Sequence, residues 1–285
     1  MAAQLRNGQR DTTMQDTGRG IKETVARAYE SCTFDRVLGD ILHPGGLKLT
    51  VRTAEVAGIR AGSRVLDIAS GKGTTACFLS MKYDCQVIGI EFSLTSICSA
   101  RSKALAESPS AGVEFIAGDA ESLPFRSSSF DVVISECSFS LLPNKEIAAA
   151  EFVRILKPGG RLVITDVVLR CGMSQEFQTQ AIFACCIAGA KTVDDYVRLF
   201  TKAGFGAPYV EDHSIEMKKV GYRILVNHGS LDAFSAQFGE GKDTCCSNKE
   251  GRPTFAQFWK SLPKEQRPGY GLLAFIKVGE NAKAL

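Results

Sequence analysis

The sequence predicts an α/β fold: a doubly wound, seven-stranded sheet whose last strand is antiparallel. Three observations predict it. Short apolar segments alternate with single helical segments from Arg64 onward, the pattern of βαβ units and a parallel sheet. Those apolar segments show little polar alternation, as in a sheet covered on both faces. The first of them runs into a glycine-rich turn that opens a helix.

The elements follow in order. Ile21–Leu42 predicts a helix, with apolar residues at Ile21, Val25, Ala28 and Tyr29, then Phe34, Val37, Leu38, Ile41 and Leu42. His43-Pro44-Gly45-Gly46 breaks it, and Leu47–Ala57 predicts a second helix closed near Gly58. Strands are expected at Arg64–Ile68, Gln86–Glu91, Val113–Ala117, Phe130–Ser135 and Arg161–Val168. Helices are expected at Thr74–Met81, at Ser93–Ala106 with Ser93 as N-cap, and at Lys145–Leu156, stopped by Lys157-Pro158-Gly159-Gly160. Thr192–Ala203 is a helix capped by Thr192 and followed by Gly204, and Phe205–Asp212 and Tyr270–Val278 are the last two strands. Residues 1–20 read as a flexible lead-in. Residues 217–267 read as a helical insertion, split by a polar loop at Gly239–Gly251.

Composition excludes several classes. The 285 residues are 45% hydrophobic and 23% charged, with a net charge of +3, which argues against disorder. No basic stripe interleaved with aromatics suggests nucleic acid. No apolar run approaches the length of a bilayer span, about 20 residues. The polar start of the chain lacks an apolar signal region, so its ten cysteines read as free thiols of a cytoplasmic protein rather than a disulfide framework.

Four segments carry chemistry. Leu66-Asp67-Ile68-Ala69-Ser70-Gly71-Lys72-Gly73 lets backbone approach a ligand closely. Its Gly-x-Gly-x-x-Ala form leaves a nicotinamide dinucleotide open. Glu91 ends the next strand, where an acid can accept both ribose hydroxyls of an adenosine. Gly118-Asp119-Ala120 follows the third strand, and Asp119 can accept from an adenine amino group. Leu123-Pro124-Phe125, Phe130-Asp131-Val132-Val133 and Leu156-Lys157-Pro158-Gly159-Gly160 complete the series.

In that order these blocks resemble the class I S-adenosylmethionine-dependent methyltransferases, from about Tyr29 to Phe205 plus the closing strand. The last two blocks set the chain apart from the dinucleotide dehydrogenases. The resemblance implies a Rossmann-like sheet with an N-terminal helical lid. Residues 21–216 and 268–285 would form the S-adenosylmethionine-binding domain, and residues 217–267 would cap the acceptor site. It implies that Ala69, Gly71 and Gly73 line the methionine moiety with Asp67 beneath, and that Glu91 binds the ribose with Phe92 beside the adenine. It further implies Asp119 and Ala120 at the adenine edge, and Ser135, Glu136 and Cys137 facing the sulfonium and a small-molecule methyl acceptor. Tyr29 and the turn containing Gly45 and Gly46 resemble the lid. Ala69 stands where the family usually has glycine.

Within the family the chain is similar to the quinone-biosynthesis and arsenite methyltransferase branch. Cys137 in Ser135–Lys145 and Cys186 in Cys186-Ile187-Ala188-Gly189-Ala190 match its cysteine blocks, which implies catalytic roles for Cys137 and Cys186. Past Glu211 the likeness to arsenite enzymes stops. Cys77, Cys85 and Cys98 read as packing, and Cys185 and Cys186 as neighbours on a helix, about 100° apart. Cys245-Cys246 lies in the polar loop. Cys32 and Cys171 carry no assignment. His43, His213 and His228 read as surface or structural imidazoles. No Cys-x-x-Cys pair suggests a metal site. Three readings stand: methyl transfer to an organic small molecule, with Phe234, Phe238, Phe255, Phe258 and Trp259 near its pocket; an arsenite-type enzyme using Cys137 and Cys186; and a non-catalytic cofactor-binding protein.

Overall fold

The structure, a computed structural model, describes residues 18–30, 34–107, 112–173, 185–236 and 255–279. Helix α1 covers residues 18–30, so it begins inside the expected lead-in. The single long helix expected over Ile21–Leu42 is two pieces, because α2 is only Asp35–Leu38. Helix α3 spans Gly46–Ala57 and ends on Gly58 in the left-handed conformation.

The sheet then builds as expected, through β1 Arg64–Ile68, α4 Thr74–Tyr83, β2 Gln86–Glu91, α5 Leu94–Glu107, β3 Val113–Ala117 and β4 Phe130–Glu136. Ser93 is the cap of α5, its Oγ accepting from Ser96 N at 3.1 Å. Helix α6 covers Lys145–Ile155. Strand β5 starts at Leu156 and runs to Leu169, so Pro158-Gly159-Gly160 lies inside the strand rather than before it. A register shift between Phe130 and Val132 of β4 accommodates that irregular stretch.

After β5 come β6 Lys191–Thr192, α7 Val193–Ala203, β7 Tyr209–Asp212, α8 Ser214–His228, α9 Leu231–Ala236, α10 Phe255–Ser261 and β8 Gly269–Ile276. Thr192 caps α7 by accepting from Asp195 N, and Gly204 closes it. The expected strand from Phe205 is ordered as a strand only from Tyr209.

The seven strands of the main path run β3-β2-β1-β4-β5-β8-β7, and the short β6 pairs with β5 as an eighth. β8 is antiparallel to both β5 and β7. The order reverses between β1 and β4, so the carboxyl ends of these strands open a crevice there.

Alternate strand residues point to opposite faces. Val65, Val132 and Ile134 meet Leu49, Ala54, Leu79 and Ile97 on one face. Leu66, Val133 and Leu162 meet Ala148, Phe152, Tyr196 and Phe200 on the other. Among the described residues no helix is long and apolar enough to cross a membrane.

Gly89 in β2 shows how tightly the layers close. A Cβ there would lie 2.6 Å from both Phe115 Cδ1 and Ser70 Oγ. Gly89→Ala is therefore expected to lower stability by about 1–3 kcal/mol through overpacking. Urea unfolding checks this, and an unchanged midpoint would show that the layers can relax.

Candidate active site

Two cavities lie over the carboxyl ends of the strands and share Tyr29, Leu42 and Cys137. The first is a cleft with an empty volume of ≈ 1110 Å³, lined by Lys22, Asp67, Glu91, Asp119 and Glu136 among others. The second, of ≈ 900 Å³, is apolar and bounded by Phe34, Ile187, Ile224, Phe234 and Trp259 among others.

The turn after β1 forms one wall of the cleft. Asp67 is buried, and its Oδ2 has no hydrogen-bond partner. Burial, with Glu136 nearby, pushes its carboxyl well above the usual range. An unpartnered carboxyl oxygen beside a cleft suits a hydrogen-bonding ligand group. Ala69 follows at φ 54°, a left-handed conformation that costs a Cβ-bearing residue. This is the position where the family favours glycine. Gly71 N donates to Glu91 Oε2 at 3.0 Å and Ser93 N to Oε1 at 2.8 Å. These bonds orient Glu91 at the cleft, while burial raises its pKa.

Not every expected residue reaches the cleft. Asp67, Ala69, Gly71, Glu91, Phe92, Asp119, Ala120, Glu136, Cys137 and Tyr29 line it. Gly73 does not; it sits under the turn, where a Cβ would lie 2.5 Å from Phe115 Cζ and 2.9 Å from Ala100 Cβ. Its role is close helix–sheet packing. Gly45 and Gly46, at φ 89° and 55°, form the turn into α3, and His43 rather than either glycine meets the cleft. Ser135 is fully buried and paired with Ser138 Oγ at 2.6 Å.

Glu136 is the most constrained group. It is buried, with His43 Nε2 at 3.0 Å. Thr50 donates to Oε2 at 3.1 Å, Thr75 to Oε2 at 2.9 Å and Thr53 to Oε1 at 3.2 Å. His43 Nδ1 meets Pro44 O at 3.0 Å, so both ring nitrogens face acceptors and the imidazolium is favoured. Burial lowers the His43 pKa, but Glu136, with the Pro44 carbonyl and Asp67, more than reverses this and the net shift is upward. Burial raises Glu136, but His43 and the threonine hydroxyls bring it below the usual value. His43 is thus an internal ion-pair partner, a role its sequence context does not reveal.

Lys22 is the other residue missed by sequence reasoning. From α1 it crosses the cleft to Asp119 at 2.9 and 2.7 Å and to Glu121 Oε2 at 2.5 Å. Asp119, expected at the adenine edge, is therefore shared with the lid helix. The pairing joins residues 97 apart in sequence, and no local signal announces it.

The sulfurs converge at the junction of the cavities. Cys137 Sγ and Cys186 Sγ are 3.5 Å apart, and Cys186 Sγ donates to Cys137 O at 3.2 Å. Tyr29 Oη lies 3.2 Å from Cys186 Sγ and its ring stacks on Phe34 at 4.6 Å. Cys137 and Cys186 both have positive φ, 53° and 62°. Cys186 therefore occupies a turn, not the expected helix, and Cys185 beside it also lines the apolar cavity. Hydrogen bonding to Cys186 and burial push the Cys137 thiol well up, and burial does the same to Cys185.

Cys77 and Cys85 are buried as expected, but Cys98 is exposed, because its place on α5 faces solvent. Cys32, Cys245, Cys246 and Phe238 lie outside the described residues, as does the side chain of Phe255. Phe234 and Trp259 line the apolar cavity, whereas Phe258 is buried in the core. Among the described residues no cluster of His, Cys, Asp and Glu is arranged to hold a metal ion.

A methyltransferase-domain family model matches residues 59–204. The chain is 36% identical over 166 residues to an arsenite methyltransferase of Halobacterium salinarum, spanning 56% of this chain and 42% of that protein. It is 30% identical over 190 residues to the methyltransferase GfsG of Streptomyces halstedii, spanning 65% of this chain and 68% of that one. Phosphoethanolamine N-methyltransferase 2 of Haemonchus contortus, solved with S-adenosyl-L-methionine, shares the fold at a TM-score of 0.71 and 20% identity, over 91% of this chain and 60% of that chain. The chain thus spans less than half the length of the archaeal relative it matches. It belongs to the class I S-adenosylmethionine-dependent methyltransferase family.

The His43–Glu136 pair has a pH signature. With its folded pKa raised, His43 contributes stability fully below 6.5, and this is lost as pH rises through the raised value. With its folded pKa lowered, Glu136 contributes above 4.5, and this is lost as pH falls through the lowered value. His43→Gln is expected to cost about 3–5 kcal/mol at neutral pH by leaving a buried carboxylate unbalanced. It should also abolish the decline above 6.5. Denaturant unfolding across that interval checks both, and a variant with the parent's alkaline decline would remove His43 as its source.

Proposed function

We propose that this chain transfers the methyl group of S-adenosylmethionine to a small-molecule acceptor, releasing S-adenosylhomocysteine. The observation that carries this reading is the meeting of a polar cleft and an apolar cavity at Tyr29, Leu42 and Cys137. Asp67, Ala69 and Gly71 are assigned to the methionine moiety. Glu91 takes the ribose, Phe92 lies beside the adenine, and Asp119 and Ala120 lie at its edge. Gly45 and Gly46 act through the turn they shape, Gly73 through close packing of helix on sheet, and Ser135 through its bond to Ser138. Residues 21–216 and 268–285 form the cofactor-binding domain, and 217–267 cap the acceptor. The free thiols support a cytoplasmic setting.

When bound, S-adenosylmethionine supplies an electrophilic sulfonium methyl. The chain's contribution is alignment of the acceptor with that methyl and exclusion of water. Glu136 is neutralised by His43 and held by the three threonines, so it orients the lid turn rather than accepting a proton. Among the described residues the apolar cavity holds no carboxylate or imidazole. This lining suits an acceptor that carries its own available lone pair.

A second reading is favoured by one distance. Two sulfurs 3.5 Å apart can hold a soft trivalent metalloid as thiolates, as an arsenite-type acceptor would require. Calorimetry with S-adenosylmethionine and release of S-adenosylhomocysteine across acceptors including trivalent arsenic and thiols test both readings. Cys137→Ser with Cys186→Ser is expected to keep cofactor binding and transfer to an organic acceptor. Loss of transfer to arsenic alone, by about tenfold or more, would favour the metalloid reading for that acceptor. Absence of cofactor binding by the parent protein would overturn both and leave a chain without this activity.

A further inference from the structure

We propose that the apolar cavity takes an uncharged, largely apolar acceptor, and that Gly221 sets how bulky that acceptor can be. The proposal rests on the methyl-transfer reading above.

The two cavities differ sharply in charge. The cleft is lined by Lys22, Asp67, Lys72, Glu91, Asp119 and Glu136 among others, whereas no described residue lining the second cavity carries a charge at neutral pH. A charged acceptor entering it would lose hydration with no counter-charge among the described lining residues to replace it.

Helix α8 supplies one wall through Met217, Val220, Gly221, Ile224 and Leu225. These positions follow i, i+3, i+4, i+7, i+8, a single helical face with Gly221 at its middle. Glycine in a helix interior lowers helix stability relative to alanine, so its presence calls for a reason. Conformation is not the reason, since Gly221 is absent from the glycines with positive φ. Close packing against the described residues is not the reason either, since a Cβ built there meets none of their atoms within 4 Å. Space remains: a side chain at this position would project into the cavity, and its absence leaves room for the acceptor.

The protein's single tryptophan, Trp259, lines the same cavity and reports on occupancy. The full chain is titrated with 1-octanol, octylammonium and octanoate, with and without saturating S-adenosylhomocysteine, and Trp259 fluorescence is read. The alcohol is expected to give a saturable change, and its two charged analogues to bind about tenfold or more weakly. Gly221→Leu should weaken the alcohol by about tenfold or more, with Gly221→Ala intermediate and melting higher than the parent. In both variants calorimetric affinity for S-adenosylhomocysteine should stay within about twofold.

Charged analogues that bind as tightly as the alcohol would overturn the acceptor class. Unchanged alcohol binding in Gly221→Leu would overturn the role of Gly221. If Gly221→Leu does not fold, the alanine variant decides, because unaltered binding there with a higher melting temperature overturns that role equally. Failure of the parent to bind S-adenosylhomocysteine is read separately, by calorimetry, and concerns the methyl-transfer reading alone.

Discussion

One buried carboxylate organises this end of the molecule. Glu136 ends the central strand β4 and receives hydrogen bonds from Thr50 and Thr53 of α3, Thr75 of α4 and the imidazole of His43 in the lid turn. A charge in that position costs several kcal/mol of lost hydration unless each oxygen is matched, and here each is. The lid turn, the helix after it and the helix after the glycine-rich turn are therefore held to one point of the sheet. Asp67, on the neighbouring strand, is in the opposite condition, with one buried oxygen left unpartnered beside the cleft. The contrast separates a carboxylate used for architecture from a carboxyl group left with one oxygen unpartnered.

Backbone strain concentrates near the same place. Ala69, Cys137 and Cys186 are non-glycine residues in the left-handed region, and all three border the cleft or the apolar cavity. Such conformations cost energy and persist where the surroundings over-determine them. At Cys137 the turn directs the sulfur to the junction of the two cavities, and at Cys186 it brings the second sulfur within 3.5 Å. The fold alone does not decide what is done with this arrangement. Most of the lining of the second cavity is supplied by segments outside the matched domain, 59–204.

Much of this was legible in the linear chain. The strands of the parallel core are short apolar runs bounded by glycine and acids, and β1, β2 and β3 occupy their expected residues. The caps at Ser93 and Thr192 followed from side-chain chemistry. The turn around Asp67 and Gly71, and the acid at Glu91, were readable because local spacing dictates them. Gly73 was readable as a glycine but not as a packing residue, since Phe115 and Ala100 arrive from distant segments. The helix expected over Cys185 and Cys186 was misread because apolar content there serves a cavity wall, not a helical face.

Local order of residues was enough to specify the alternation of strand and helix, the cofactor-type turn and the family. It was enough because capping, periodicity and glycine conformations act over a few residues. Only folding decided that Lys22 meets Asp119, that His43 meets Glu136 and that Cys137 meets Cys186, pairs separated by 97, 93 and 49 positions. Each joins groups of high desolvation cost or high polarisability, and that energy is realised only when the sheet and its lid bring them within a few ångströms.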